Sequence, residues 1–136
     1  MTDSPRHSRD LRLSWGECDP AGIVYYATYL EWAERVHSEW WLLQGLHLAE
    51  LADRLGAAFV VRHVECDYLH PPRVLDELRC SLHVAAVGSS SFTLRFDFTD
   101  LGSGRALAEL RLTCVFVDAE GTATPIPAPA RKVLAP

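Results

Sequence analysis

Only one stretch of this 136-residue chain carries a long helical pattern, and most of the rest alternates with the period of β-strands. Apolar residues recur at helical spacing from Tyr29 to Leu43, and Gly45 follows as a stop signal. Thr28 and Glu31 have the spacing of a capping box, which predicts that the helix begins at Thr28. A single helix of four or five turns must therefore cover whatever sheet the remaining sequence forms.

Five strands are predicted around this helix. Leu11, Leu13 and Trp15 alternate with polar residues and predict a first strand, and a short second helix is expected from Leu48 to Leu55. Four β-rich segments follow, at about 59–69, 78–86, 92–98 and 108–116. Their separators are too short for crossover helices, so we expect sequential strands to pair as antiparallel hairpins.

The length and the 49% hydrophobic content indicate one domain with one core. We assign residues 1–9 to a flexible leader and residues 10–136 to the single domain, because the first nine residues are polar and unpatterned. The proline-rich tail at 125–129 is expected to be an extended cover with a last turn near Arg131 to Leu134.

Composition excludes several classes of function. A net charge of -5 and a pI near 5.6 argue against binding of nucleic acid. No apolar run approaches the ~18 residues of a membrane span, and no signal-peptide pattern opens the chain, so we expect a cytoplasmic protein without a membrane partner. The four cysteines form no C-x-x-C pair, and two of them, Cys80 and Cys114, fall on apolar strand faces and are expected to be buried.

An acid lies in a turn between the first strand and the helix, in the run Cys18-Asp19-Pro20-Ala21-Gly22. The free amides at the following helix start, around Val24 to Tyr26, would face the same space. A carboxylate opposite such amides suits acyl transfer, with the acid as nucleophile or base and the amides holding the oxyanion. From the spacing alone, however, a purely structural turn or cap is the more common explanation.

The sequence resembles the 4-hydroxybenzoyl-CoA thioesterase family of hotdog-fold proteins, through the run ECDPAGIVYYATY at Glu17 to Tyr29 and the following Trp32-Ala33-Glu34. The order of one strand, one helix and four strands agrees with that family over about residues 9–120. The resemblance implies an α+β hotdog fold, in which a five-stranded antiparallel sheet wraps around a long central helix.

The resemblance also implies the site residues. Asp19 maps on the catalytic aspartate, and the backbone amide of Tyr26 maps on the group that polarises the thioester carbonyl. Gly22, Tyr25 and Glu34 are assigned to substrate binding, with Glu34 near the far end of an aromatic acyl group. For Glu34, an exposed helix glutamate that pairs with solvent or Ser38 is an equally good interpretation.

Two departures from related patterns bear on the substrate. Thioesterases of the cell envelope usually carry a His where this chain has Tyr26, which favours the aryl-CoA branch. The 4-hydroxybenzoyl-CoA enzymes present a basic cluster before the fourth strand for the nucleotide phosphates, whereas this chain has Gly88-Ser89-Ser90-Ser91. Other cations for that task are Arg62, Arg73, Arg95 and Lys132, and each of them is also explained as a plain surface charge.

Alternative sites are weaker. His63, Glu65 and Asp67 could ligate a metal, but a polar outer strand face explains the same alternation, and we expect no metal. Ser-His-Asp catalysis has no G-x-S-x-G motif to support it. Trp32 is expected in the core or beside an acyl pocket.

The sequence thus predicts a cofactor-independent acyl-CoA thioesterase acting on a benzoyl- or hydroxybenzoyl-like thioester. The alternatives are a thioesterase for short or medium aliphatic acyl chains and a non-catalytic acyl-CoA-binding module. An exposed edge strand is often paired with a second copy of the same chain, so we expect a homodimer or a homotetramer built as a dimer of dimers.

Overall fold

The computed structural model describes residues 4–136 and confirms the predicted order of elements. A central helix, α1 (Thr28–Leu43), is followed by a short helix α2 (Leu51–Leu55) and, at the end of the chain, by α3 (Ala128–Leu134). The strands are β1 (His7–Arg12), β2 (Ala58–Tyr68), β3 (Glu77–Val87), β4 (Ser91–Asp100) and β5 (Ala106–Val117). Short 3-10 turns at Trp15–Glu17 and Leu48–Glu50 precede α1 and α2.

The first strand begins earlier than the apolar alternation predicts. Residues 7–9 pair with β3, from His7 opposite Leu82 to Arg9 opposite Cys80, so their assignment to a flexible leader is wrong. The side chains of His7 and Arg9 meet a carboxylate of α1: His7 Nε2 lies 2.6 Å and Arg9 Nη1 3.3 Å from Glu39. The first three residues of the predicted leader lie outside the described residues.

The sheet is antiparallel, with strands in the order β1-β3-β4-β5-β2. The prediction that all sequential strands form hairpins is wrong for β2 and β3, because β2 pairs with β5 at the far edge of the sheet. The connection at 69–76 instead crosses the end of the sheet, and its backbone contacts the acid-bearing turn: the Val24 amide donates to the Pro72 carbonyl (3.3 Å), and Ile23 bridges Arg73. This crossing places the end of β2 beside the turn.

The helix start also differs from the predicted capping box. Ala27 is the N-cap and contributes no side-chain cap, while the Thr28 hydroxyl donates to the Glu17 carbonyl oxygen at 3.4 Å. The box forms one element earlier, where the Glu17 carboxylate accepts from the Ser14 amide (3.0 Å) and hydroxyl (3.1 Å). Thr28 therefore connects α1 to the preceding 3-10 turn instead of capping the start of α1.

The core lies between α1 and the concave face of the sheet. Trp40 and Trp41 of α1 are buried side by side, and the Trp41 ring packs against Phe92 of β4 and Phe59 of β2. Cys80 and Cys114 are buried as predicted, and burial raises the pKa of Cys114 to about 12, so this thiol stays protonated at neutral pH. In the part of the chain that the structure describes, no helix combines the length and apolar character needed to cross a membrane.

Candidate active site

Asp19 is held by a compact turn. Its amide donates to the Ile23 carbonyl (2.9 Å), and its own carbonyl accepts from the Gly22 amide (3.0 Å). One carboxylate oxygen, Oδ1, accepts from the Ala21 amide at 2.9 Å, which leaves Oδ2 as the oxygen that can face a substrate. Gly22 has φ +77, a conformation that favours glycine, so the sequence closes this turn without strain.

Glu17 joins the turn to the helix, a role that sequence reasoning did not assign. Its Oε2 accepts from the indole Nε1 of buried Trp32 at 3.0 Å, and its carbonyl accepts from the Tyr25 amide at 2.8 Å. Trp32 contacts Tyr29 and Phe98 and belongs to the core, which is the first of its two predicted positions. The spacing of Ser14 and Glu17 is that of a capping box, and this spacing is a sequence signal for the structural role of Glu17.

The amide at the predicted oxyanion position is free to bind a ligand. Within residues 4–136, the amides of Tyr26 and Ala27 donate no hydrogen bond, whereas the Tyr25 amide before them donates to the Glu17 carbonyl and the Thr28 amide after them to the Tyr25 carbonyl. The Tyr26 carbonyl accepts from the Tyr68 hydroxyl at 3.1 Å. The main chain at Tyr26 is therefore anchored by a side chain from the end of β2.

Asp19 and Tyr26 line the same cavity, of about 300 Å³, between the turn, α1 and the end of β2. Three tyrosines and several aliphatic residues form most of the wall, together with one histidine: Ile23, Val24, Tyr26, Tyr29, Tyr68, Leu69, His70, Pro71 and Leu107. An apolar cavity with few convergent polar groups is the usual form of a small-molecule site. The structure thus places at one cavity the two residues, Asp19 and Tyr26, to which the resemblance assigns catalysis.

The residues assigned to substrate binding are not all in this cavity. Gly22 and Tyr25 belong to the adjoining turn, where the Tyr25 ring lies 4.8 Å from the Tyr26 ring. Glu34 lies six residues after the start of α1 at Thr28, about 9 Å along the helix axis, and accepts from the Ser38 hydroxyl at 2.6 Å. The alternative interpretation of Glu34, an exposed helix glutamate that pairs with solvent or Ser38, includes this contact.

Glu34 lines a second, smaller groove of about 190 Å³ between α1 and β2. Its other walls are apolar except for one histidine: Leu30, Ala33, His37, Val61, Val64, Leu110 and Leu112. His37 is buried against Phe59 and Phe96, and burial lowers its pKa, an effect that the Glu34 carboxylate partly opposes.

Sequence reasoning missed Tyr68 and His70 as members of the Asp19 cavity. Both come from the end of β2, which the crossing connection carries to the turn. Polar residues at a strand end before the Pro71-Pro72 pair are a signal that such a loop faces a site, but only the strand order shows which site.

Two further groups near the turn have defined chemistry. Desolvation, with the carboxylates of Asp19 and Glu17, raises the pKa of the Cys18 thiol, so its sulfur is not a ready nucleophile. His63, Glu65 and Asp67 are exposed on the outer face of β2, and across residues 4–136 no three potential metal ligands cluster.

The candidate cations for a nucleotide differ in their surroundings. Arg95 is engaged with Asp97 (3.2 Å) and Glu109 (3.6 Å), and Lys132 lies on α3. Arg73 bridges the turn through its backbone at Ile23, and its guanidinium contacts no acceptor among the described residues. The Gly88 to Ser91 loop follows the far end of the 11-residue strand β3, about 35 Å from the end of β3 that is next to Arg73.

A single helix enclosed by a five-stranded antiparallel sheet, with an acid turn at the helix start, defines the hotdog class of proteins. The chain belongs to the thioesterase-like superfamily, which it matches over residues 13–134. The resemblance stated from the sequence is therefore confirmed.

Individual relatives match the chain at low sequence identity and over part of its length. A 1,4-dihydroxy-2-naphthoyl-CoA hydrolase of Prochlorococcus marinus is 30% identical over 97 residues, which cover 66% of this chain and 63% of that protein. The acyl-CoA thioester hydrolase YbgC of Escherichia coli O6:H1 is 31% identical over 90 residues, covering 62% of this chain and 64% of YbgC. The chain thus spans less than two thirds of the length of either relative.

Among solved structures, a 1,4-dihydroxy-2-naphthoyl-CoA thioesterase from Synechocystis superposes with a TM-score of 0.86 and 19% sequence identity, covering 94% of both chains. At this identity the likeness establishes the fold.

Proposed function

We propose that the protein is an acyl-CoA thioesterase that hydrolyses an aromatic, benzoyl- or hydroxybenzoyl-like CoA thioester. One observation carries the proposal: Asp19 and Tyr26 line one cavity, and the Tyr26 amide donates no hydrogen bond among the described residues. An acid and a fixed amide donor on the two sides of a carbonyl are the groups that acyl transfer requires. Membership of the thioesterase-like superfamily supports the reaction type.

The proposed chemistry uses the chain's own groups. The Tyr26 amide binds the carbonyl oxygen as it gains negative charge, which is worth ~3 kcal/mol for one such donor. Asp19 either attacks the carbonyl carbon and forms a mixed anhydride, or removes a proton from the attacking water. Neither route requires a cofactor or a metal ion.

The aromatic substrate is supported by the cavity wall and by the relatives. Tyr26, Tyr29 and Tyr68 offer ring faces and edges to an aromatic acyl group. The Prochlorococcus and Synechocystis proteins are named for a naphthoyl-CoA, also an aryl thioester. An aliphatic acyl-CoA is the second candidate, favoured by the aliphatic side chains of Ile23, Leu69 and Leu107 in the same wall.

The exposed edge of β2 supports assembly of two copies of the chain. β2 is an edge strand of 11 residues, and its exposed side chains include Val60, Val61 and Val64. Such an edge is commonly protected by pairing with another copy. We therefore propose a homodimer that pairs through β2, with a dimer of dimers as the larger alternative. In this dimer the Glu34 groove lies next to the interface, which is where Glu34 could contact substrate.

The test is thiol release from a panel of acyl-CoAs that contains benzoyl-CoA, 4-hydroxybenzoyl-CoA and hexanoyl-CoA. We expect hydrolysis of all three, with the highest kcat/KM for an aromatic thioester. A preference for hexanoyl-CoA would replace the aromatic assignment by the aliphatic one. Binding of the panel without thiol release would mean a non-catalytic module.

A further inference from the structure

His70 is fixed at the end of β2 by two contacts with the start of β5. Its main-chain amide donates to the Leu107 carbonyl at 3.1 Å, and its ring Nδ1 lies 3.2 Å from the Ala106 carbonyl oxygen. Pro71 follows directly and restricts the main chain at His70. The imidazole is thus held at the wall of the Asp19 cavity, although its side chain is exposed to solvent.

The contact with Ala106 determines which ring nitrogen is free. A carbonyl oxygen can only accept a hydrogen bond, so Nδ1 carries the proton and donates. In the neutral ring Nε2 then has a lone pair and no proton. His70 therefore offers a proton acceptor at the cavity wall, where water has access.

Few other groups in this cavity can accept a proton. Besides Asp19 and His70, the polar side chains of its wall are those of Tyr26, Tyr29 and Tyr68. Burial raises the pKa of the Tyr29 and Tyr68 hydroxyls, which makes them poor bases at neutral pH. If Asp19 is consumed as the nucleophile, His70 is the one imidazole among the residues that line the cavity.

We propose that His70 is a second catalytic residue: its Nε2 accepts a proton from the water molecule that hydrolyses an acyl-Asp19 anhydride. This inference rests on the thioesterase function proposed above, in its nucleophilic form. It assigns different steps to the two groups, with Asp19 acting in acyl transfer to the protein and His70 in the release of the acid.

The proposed reaction has two stages, acylation of Asp19 and hydrolysis of the resulting anhydride. A carboxylate oxygen of Asp19 bonds to the thioester carbonyl carbon, the carbon–sulfur bond breaks, and CoA leaves as the thiolate. A water oxygen then bonds to the same carbon while one of its protons moves to Nε2 of His70. The bond between that carbon and the Asp19 oxygen breaks, which restores the carboxylate and frees the carboxylic acid. The imidazolium returns its proton to the thiolate or to solvent.

The experiment is rapid-mixing thiol release with the best substrate of the acyl-CoA panel, using His70→Gln. A glutamine amide can still donate to the Ala106 carbonyl but takes no proton at neutral pH. We expect a fast burst of one thiol per active site, followed by steady turnover about 100-fold slower than in the wild type. After the burst, the acyl group is expected on Asp19, detected as a mass increase of the quenched protein.

A second variant and a control separate chemistry from structure. Activity of His70→Ala is expected to be restored in part by added imidazole, which a merely structural role would not allow. His47→Gln is the control, since His47 is also exposed but its Nδ1 accepts from the Ala49 amide at 3.2 Å, outside the Asp19 cavity. We expect wild-type kinetics for it.

Three outcomes would contradict either the role of His70 or the proposed function. Wild-type turnover in His70→Gln, or slow turnover without a burst and without rescue of His70→Ala by imidazole, would overturn the role of His70 and leave the thioesterase proposal intact. An absence of thiol release from the whole panel by the wild-type protein would overturn the proposed function itself.

Discussion

Asp19 owes its orientation to main-chain contacts within a few residues of it. The Ala21 amide holds Oδ1, and the Gly22 amide closes the turn on the Asp19 carbonyl. Glu17 links this turn to Trp32 in the core, so a movement of the helix would be transmitted to the acid. At this scale the function depends on backbone geometry as much as on the reacting side chain.

Gly22 offers a direct test of that dependence. With φ +77 and no atom within 4 Å of an added Cβ, Gly22→Ala is expected to cost about 1–2 kcal/mol through backbone strain alone. Relief of the strain shifts the turn, so kcat/KM should fall at least ~10-fold, because positioning contributes strongly to rate. Thiol release and thermal unfolding measure the two effects.

Gly45→Ala is the matched control, because Gly45 has φ +85 and equally open space at the end of α1. It should lose similar stability and keep wild-type kcat/KM. Equal kinetic losses in the two variants would show that the turn has no special role.

Arg73 is the cation best placed for the CoA phosphates, since it adjoins the turn and its guanidinium has no acceptor among the described residues. Arg73→Ala is expected to raise KM for an acyl-CoA about 10-fold, as for the loss of a charge-assisted hydrogen bond. KM for the same acyl group on N-acetylcysteamine, which has no phosphates, should not change. Lys132→Ala on α3 is the control, and an equal rise of KM for both thioesters would exclude a phosphate contact.

Helix α1 carries a buried group whose protonation opposes folding. Burial lowers the pKa of His37 below its ordinary 6.5, so the unfolded chain binds more protons in the interval between the two values. His37 therefore destabilises the fold as pH falls below about 6.5, and its contribution is constant above that pH.

The free energy of unfolding of the wild type, measured with urea, should be lower at pH 5.5 than at pH 8. In His37→Leu the difference between the two pH values should be smaller. His47→Leu, at an exposed position, should follow the wild type. Parallel pH dependence of the wild type and His37→Leu would contradict the assignment.

The sequence was sufficient for the elements but not for their arrangement. Helical spacing located α1 within two residues, and period-two alternation located β2 to β5, because each pattern follows from which face is buried. Strand order was not recoverable, since nothing local to β2 specifies β5 as its partner. For that reason Asp19 and Tyr26 were found from their motif, whereas Tyr68 and His70, which reach the cavity through strand order, were missed.

For the whole molecule, the exposed valines of β2 predict the mode of assembly. Val61 is 57% exposed at this edge, and a charge placed there would be buried on pairing. Val61→Asp is expected to convert the proposed dimer or tetramer to a monomer of 15.2 kDa, measured by size-exclusion chromatography with light scattering. Leu43→Asp, at a residue that is 66% exposed at the end of α1, should leave the assembly unchanged. A monomeric wild type would contradict the proposed dimer.

Asp19 performs the chemistry in the proposed mechanism, and thiol release by Asp19→Asn is the measurement that decides this role. An asparagine oxygen can still accept from the Ala21 amide, so the turn is retained while the charge and the nucleophile are lost. Asp118→Asn is the matched control, because Asp118 Oδ1 likewise accepts from main-chain amides, at 3.0 Å from Glu120 and Thr122. We predict a loss of at least ~100-fold in kcat for Asp19→Asn, with an unchanged melting temperature and full activity in Asp118→Asn. Equal rates for Asp19→Asn and the wild type would exclude Asp19 as the reacting group.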